Sequence, residues 1–115
     1  MSDFLNVAKE AAKAALDKKA KDVVVLKMYD VTVMTDFFVI CTAANKTQAQ
    51  AIAGNVEDAM KEQGIKIFHR EGFREAAWIL LDYGSIVIHI FQEDMRHFYD
   101  LETLWGDAEV VDIDT

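Results

Sequence analysis

Cysteine, proline and long apolar runs are scarce or absent in this sequence. It has no proline and one cysteine, Cys41, which excludes an internal disulfide and a cysteine-based zinc site and favours a reducing compartment. No segment approaches the roughly 20 apolar residues of a membrane-spanning helix, and the first residues lack the basic and apolar regions of a signal peptide. We therefore expect a cytoplasmic protein that does not enter a membrane.

Positive charge is also in short supply. The chain holds 12 Lys and Arg against 20 Asp and Glu, so its formal net charge is -8. Residues 1–92 carry 12 acidic and 11 basic side chains, whereas residues 93–115 carry eight acidic side chains and only Arg96 as a base. Binding to duplex nucleic acid needs clustered Lys and Arg, so direct sequence-specific nucleic-acid binding is not expected. The acidic end either solvates the C-terminal segment or attracts a basic partner.

The apolar material that is present suits one domain. The 115 residues match the usual length of a domain, and 52% of them are hydrophobic. No internal repeat and no linker-like composition divides the chain. We predict a single domain over residues 1–106 and an acidic C-terminal tail over residues 107–115.

Three segments have the apolar spacing of amphipathic helices. The first begins at a cap near the N-terminus and is predicted to end near Lys19. In the second, Asn45 and Gln48 form a variant of the capping box, and Gly64 is expected just past the end of the helix. The third is predicted over residues 93–104.

Runs of β-branched and aromatic residues predict the strands. They are expected at residues 23–26, 37–42, 65–68, 77–82 and 85–91. The charged residues 70–75 have no period and predict a loop. The resulting order is α-β-β-α-β-β-β-α, and the fold class is α/β (α+β), with a mixed sheet flanked by helices.

The last two strands form a hairpin around Tyr83 and Gly84. A two-residue turn at that position pairs Asp82 with Ser85, Leu80 with Val87 and Trp78 with His89, all on one face of the sheet. The other face is aliphatic and is expected to lie under the helices; its residues are Ile79, Leu81, Ile86, Ile88 and Ile90. Trp78 is then either an anchor for a partner or a residue packed beneath a terminal helix.

Residues that could support chemistry are scattered. The histidines His69, His89 and His97 lie on different predicted elements without the spacing of a zinc motif. No glycine-rich phosphate loop occurs, and the possible metal-binding carboxylates stand singly, at Asp30, Asp36 and Asp82. We expect no catalytic residue, no metal site and no cofactor. The alternative, a nucleotide-binding or nucleotidyltransferase-like enzyme, predicts a shift in heat unfolding with ATP or CTP and magnesium.

Five segments together resemble the Iojap family, also called ribosomal silencing factor RsfS. They are residues 35–42, 71–72, 78–84, 87–91 and 96–105. The last three contain the patterns W-x-L-x-D-x-G, H-x-F and Y-x-L-E-x-L-W. Each pattern alone is weak, but their combination in this order and spacing is specific and covers nearly the whole chain.

The resemblance implies a nucleotidyltransferase-like fold without the active-site motif of those enzymes. It also implies binding to the large ribosomal subunit through ribosomal protein uL14, a steric block of small-subunit joining, and repression of translation. Relatives in organelles act in assembly of the large subunit, which is the alternative use of the same contact. Family members are often homodimers when free.

The resemblance also indicates which residues form the sites. The expected uL14-binding residues match the hairpin motif and the strand after it; they are Trp78, Leu80, Asp82, Tyr83, His89 and Phe91. A structural role or a secondary interface is expected for residues of the C-terminal motif; they are Arg96, Tyr99, Glu102 and Trp105. In this view Trp78 and Leu80 are apolar anchors, Asp82 pairs with a basic group, and His89 orients a hydrogen bond.

Overall fold

The computed structural model describes the backbone of residues 2–99, 106–111 and 113 and the side chains of residues 4–96, 106–111 and 113. The elements in chain order are α1 (Ser2–Asp17), β1 (Lys21–Lys27), β2 (Phe37–Ala43), α2 (Lys46–Glu62), β3 (His69–Glu71), β4 (Trp78–Asp82), β5 (Ile86–Gln92), α3 (Glu93–Tyr99) and β6 (Glu109–Val111). The predicted order of eight elements is confirmed, and β6 follows it. Residues 100–105, which include the rest of the predicted last helix, lie outside the described residues.

The strands form one mixed sheet in the order β3-β4-β5-β2-β1-β6. The central pair, β2 and β5, is parallel, and every other neighbouring pair is antiparallel. Helix α2 lies in the connection between β2 and the β3-β4-β5 meander, which lets β5 return beside β2 in the same direction. Helices α1 and α2 pack together on one face of this sheet.

The helix-covered face is the main hydrophobic core, as the alternation in the hairpin predicts. Its β4 and β5 side chains are each at most 1% exposed; they are Ile79, Leu81, Ile86, Ile88 and Ile90. Helix α1 contributes fully buried alanines at Ala8, Ala11, Ala12 and Ala15. Small side chains on this face of α1 allow its backbone to lie close to α2 and the sheet.

The predicted cap of α2 is confirmed and also connects the two helices. The Asn45 side chain accepts a hydrogen bond from the Gln48 backbone N–H at 2.8 Å. Gln48 Oε1 accepts from the Ala44 N–H at 2.6 Å, and Gln48 Nε2 donates to the carbonyls of residues 18 and 19, both at 3.0 Å. At the other end Gly64 has a φ of +76°, the left-handed conformation expected just past a helix.

The prediction for β3 was wrong. The strand was expected at residues 65–68, but it is His69–Glu71, within the segment predicted to be a loop. Ile65 instead donates its N–H to the Met60 carbonyl at 3.0 Å and closes the end of α2. β3 lies at the edge of the sheet, where β4 is its one strand partner among the described residues, and its side chains are exposed. Charged residues are common on such edges because they oppose further strand pairing, which explains the missing apolar signal.

The predicted register of the hairpin was also wrong. The structure pairs Trp78 with Phe91, Leu80 with His89 and Asp82 with Val87, a shift of two residues. Because side chains alternate with a period of two, this shift changes every pair and leaves each side chain on its predicted face.

Hydrogen bonds around the turn explain the shift. Asp82 Oδ1 accepts from the Gly84 N–H at 2.8 Å, and the Tyr83 N–H donates to the Ile86 carbonyl at 2.9 Å. The Ser85 carbonyl accepts from the N–H groups of Asp36 and Phe37, so Ser85 belongs to the turn and contacts β2. Tyr83 therefore continues the ladder opposite Ile86, and the turn is still two residues long but consists of Gly84 and Ser85, one position later than predicted, with a side-chain cap from Asp82.

β6 extends the sheet beyond β1. Glu109–Val111 pairs antiparallel with residues 25–27, and Lys27 Nζ lies 3.5 Å from Glu109 Oε1. These residues fall in the segment that the sequence assigned to an acidic tail. A segment of three residues is too short to show the alternation of apolar and polar residues that predicts a strand. The strand forms because the edge of β1 is free to pair with it.

Candidate protein-binding face

The second face of the sheet carries a smaller apolar cluster. Its buried members are Leu26, Met28, Ile40 and Phe91. Met95 of α3 and Val31 pack against part of it. The hairpin half of this face carries the half-exposed Phe38, Trp78, Leu80, Asp82 and Val87, with His89 buried between them. We call these six residues the Trp78 face.

Trp78 is held in place by two aromatic neighbours on β5. Its indole Nε1–H donates to His89 Nδ1 at 3.1 Å, and its ring stacks on Phe91 with centroids 5.0 Å apart. The Phe38 ring of β2 lies nearly perpendicular to the His89 ring, with centroids 4.6 Å apart. Trp78 is directly opposite Phe91 and diagonal to His89 in the observed register, which is why both contacts form.

His89 is neutral in this environment. The residue is only 4% exposed, and burial lowers the pKa of its imidazole to about 4. Because Nδ1 accepts the hydrogen bond from Trp78, the ring proton is on Nε2. Nε2 has no hydrogen-bond partner within the described part of the chain.

Because the pKa of His89 is lowered in the folded protein, we predict that the protein becomes less stable as the pH decreases. The unfolded chain takes up a proton near pH 6.5 but the folded chain only near pH 4, so stability is complete above pH 6.5 and decreases as the pH falls towards 4. Between pH 7.5 and pH 5 we expect a loss of about 2 kcal/mol from this group. Urea unfolding at both pH values measures it. In His89→Phe the difference between the two pH values should shrink by that amount, and an unchanged difference would contradict the assignment.

A cleft opens on the Trp78 face between the hairpin and the segment before β2. Its volume is about 280 Å³, and Thr32, Met34 and Thr35 form one wall. Phe38, Leu80, Val87, Asp82 and His89 form the rest. Met34 is 84% exposed, an unusual position for a large apolar side chain.

The structure brings together four of the six residues predicted to bind a partner. Trp78, Leu80, Asp82 and His89 share the Trp78 face. Phe91 is on the same side of the sheet but is fully buried beneath Trp78, so it supports the surface and adds no area to it.

Tyr83 lies apart from the other predicted residues. It is 7% exposed and belongs to the helix-side core, and burial raises the pKa of its hydroxyl to about 12. It lies on that side because it continues the alternation of β4 by one residue, in phase with Ile79 and Leu81. Its ring lines a separate depression beside Glu57 and Lys61 of α2.

The predicted residues of the C-terminal motif are described only in part. Arg96 Nη1 donates to Thr42 Oγ1 at 2.7 Å, which ties α3 to β2. Tyr99 is the last described residue of α3, and its side chain lies outside the described residues. Glu102 and Trp105 also lie outside them.

Sequence reasoning missed Phe38 and the 32–35 wall of the cleft. The sequence of β2 is a continuous apolar run typical of a buried strand, but Phe38 pairs with Val87 and is half-exposed on the Trp78 face. Two neighbouring large apolar residues in a non-periodic segment, Val33 and Met34, were the available signal. Both are strongly exposed in the structure.

Groups with possible catalytic chemistry are separated or shielded. Cys41 is fully buried, and burial raises its pKa to about 12, so its thiol stays protonated at neutral pH. The described residues contain no group of three His, Cys, Asp or Glu side chains that could hold a metal ion. Asp82 is used to cap the turn.

None of the described helices is long and apolar enough to cross a membrane.

Proteins with similar sequences cover nearly the whole chain. The family model described as "Ribosomal silencing factor during starvation" matches residues 2–115. Ribosomal silencing factor RsfS of Bacillus subtilis is 43% identical over 109 residues, which cover 95% of this chain and 92% of that protein. The chloroplastic protein Iojap of Arabidopsis thaliana is 35% identical over 112 residues, which cover 97% of this chain and 47% of that protein.

Solved structures share the fold. A crystal structure of a protein from Chromobacterium violaceum matches with a TM-score of 0.86 at 32% identity, over 89% of this chain and 85% of that chain. A crystal structure of a Bacillus halodurans protein matches with a TM-score of 0.81 at 39% identity, over 97% and 99% of the two chains.

Proposed function

Because the chain belongs to the family of ribosomal silencing factors, which includes Iojap, we propose that it represses translation by binding the large ribosomal subunit in the cytoplasm. The contact is ribosomal protein uL14, and the bound factor sterically blocks association with the small subunit. The mechanism is occlusion and requires no catalytic step.

The Trp78 face is the observation that supports this proposal. Only one face of the sheet is covered by α1 and α2, and the other presents half-exposed aromatic and aliphatic side chains around a cleft. Tryptophan is strongly enriched among the residues that dominate protein interfaces. Trp78 is already fixed by His89 and Phe91, so little side-chain entropy is lost when a partner packs on it.

Charge also suits a ribosomal protein as the partner. The chain carries a net charge of -8, and Asp82 places a carboxylate within the cleft. A basic partner is attracted to such a surface, and the attraction is weakened by salt. The acidic tail proposed for residues 107–115 adds to the attraction, although Glu109–Val111 itself extends the sheet.

Sedimentation of mixed subunits tests the function. Purified large and small ribosomal subunits are combined with and without the protein, and the particle profile and the position of the protein are measured on a sucrose gradient. We expect the protein to travel with the large subunit and to deplete the joined ribosome. Binding without depletion would favour assembly of the large subunit as the role of the same contact. A protein that stays at the top of the gradient would contradict both roles.

We also propose that the free protein is a homodimer that uses the Trp78 face. A half-exposed apolar patch of this kind can associate with a second copy, and C2 symmetry would place the two patches against each other. Sedimentation equilibrium of the wild type should give twice the chain mass, and Trp78→Glu should give the chain mass. A monomeric wild type at micromolar concentration would contradict the dimer and leave ribosome binding to be judged separately.

A further inference from the structure

His89 leaves one hydrogen-bond donor unused in the middle of the Trp78 face. The residue is 4% exposed and Trp78 occupies Nδ1, while Nε2 has no hydrogen-bond partner among the residues that the structure describes and no appreciable contact with solvent. A buried N–H without an acceptor costs free energy, and most such groups in folded proteins are paired. The Nε2–H of His89 therefore either interacts with a neighbouring group of the same chain or finds its acceptor in a binding partner.

The surroundings of His89 define what such a partner would look like. His89 is one of the side chains that line the cleft, and its neighbours Phe38, Leu80 and Val87 are apolar. Asp82 is the only charged side chain among the described residues that line it. Apolar walls suit an apolar side chain, and Asp82 together with the net charge of -8 disfavours an anionic acceptor.

We propose that His89 is the specificity-determining hydrogen-bond donor of this face. Its Nε2–H donates to a backbone carbonyl oxygen in a loop of a basic protein, the apolar side chain of that loop fills the cleft, and Asp82 accepts from a Lys or Arg of the same loop. This inference rests on the proposed function, in which the basic protein is uL14. Trp78 is then also a positioning residue, because its indole N–H keeps the His89 proton on Nε2.

Specificity follows from the fixed tautomer. The neutral imidazole of His89 has its one acceptor, Nδ1, bonded to Trp78, so it offers a partner only the Nε2–H donor. A partner with a donor at this point would place two donors against each other and bind less tightly. Nε2 is covered in the free protein, so the side chains around it must move before the carbonyl oxygen reaches it.

Nuclear magnetic resonance of the intact 15N-labelled protein tests the proposal directly. Purified uL14 is added, and the Nε2 and Hε2 resonances of His89 are followed at neutral pH. We expect an Nε2-protonated ring before addition, and a downfield shift of Hε2 with slower solvent exchange on binding. The alternative local partner is the face of the Phe38 ring, which lies 4.6 Å from the imidazole centroid. An Hε2 resonance that stays shifted upfield by this ring after uL14 has bound would overturn the inference.

Affinity measurements separate this inference from the proposed function. His89→Phe keeps an aromatic ring and removes the donor, and we expect affinity for uL14 to fall about tenfold. Leu16→Ala, on α1 across the sheet, is the matched control and should bind as the wild type does. Equal binding by wild type and His89→Phe would overturn the role of His89 alone. Failure of the wild type to bind uL14 would overturn the proposed partner and the inference with it.

Discussion

Replacing Trp78 with alanine is expected to lower the affinity of the protein for the large ribosomal subunit by about 30- to 1000-fold, the range of a dominant interface residue. The indole ring lies on the Trp78 face, stacked on Phe91 and hydrogen-bonded to His89. Alanine removes the apolar area that a partner would cover. It also leaves His89 Nδ1 without its donor, so the orientation of the imidazole is lost as well.

Co-sedimentation of the variant with large subunits at several concentrations measures this loss. Trp78→Phe keeps the stacking and removes the N–H, so its affinity should fall between those of the wild type and Trp78→Ala. Leu16→Ala removes a partly exposed apolar side chain from the opposite layer and should have no effect. Thermal unfolding of each variant checks that the fold survives. Wild-type affinity in a folded Trp78→Ala protein would show that the interface lies on another face.

The faces of the sheet were predictable from the sequence because they depend only on alternation. Ile79 and Leu81 face the helices, whereas Trp78 and Leu80 face the other side, whatever the register. The pairs were not predictable, because the position of the turn depends on hydrogen bonds that form only in three dimensions. The cap from Asp82 to Gly84 and the bonds from Ser85 to β2 place the two-residue turn at Gly84 and Ser85, one position later than predicted.

The candidate site was predictable to a similar degree. The hairpin motif and the period-two alternation of its strands are enough to place four residues on one face; they are Trp78, Leu80, Asp82 and His89. The burial of Phe91 depends on Trp78 above it, whereas the inward position of Tyr83 follows from the same alternation, in phase with Ile79 and Leu81. The 32–35 wall belongs to a segment without periodicity, so its approach to Leu80 could only be found in the structure.

The two edges of the sheet show the same limit. β3 and β6 are strands of only three residues, and each contains charged side chains. Each forms because the neighbouring strand has an unpaired edge. The β propensity of their residues does not determine such strands. The backbone hydrogen bonds to the neighbouring strand are sufficient to form them. Their exposed side chains contribute little to the core, so the sequence carries little signal for them.

Gly72→Ala is expected to lower the free energy of unfolding by at least about 3 kcal/mol. Gly72 has a φ of +77°, which an alanine adopts only with strain. A Cβ at this position would also lie far inside contact distance of the Trp78 carbonyl oxygen. That oxygen is backbone and cannot rotate away, so the chain near the start of β4 must shift.

Two other glycines provide matched controls. Gly64 has a φ of +76° but open space around its Cβ position, so Gly64→Ala should cost only the strain, about 1 kcal/mol. Gly54 lies within α2 with no atom within 4 Å of the Cβ position, and Gly54→Ala should stabilise the protein by about 0.5–1 kcal/mol. Urea unfolding at neutral pH measures all three. If Gly72→Ala cost no more than Gly64→Ala, the contact with Trp78 would carry no energy.

The same variant connects the fold to the Trp78 face. A shift of the Trp78 backbone displaces the indole ring from His89 and Phe91, so Gly72→Ala should weaken binding to the large subunit even at temperatures where the variant is folded. Gly64→Ala, at the end of α2, should lose stability without losing affinity. That difference arises because only Gly72 lies against the strand that carries Trp78. Loss of affinity in both variants would mean that lowered stability alone, and not the position of Trp78, weakens binding.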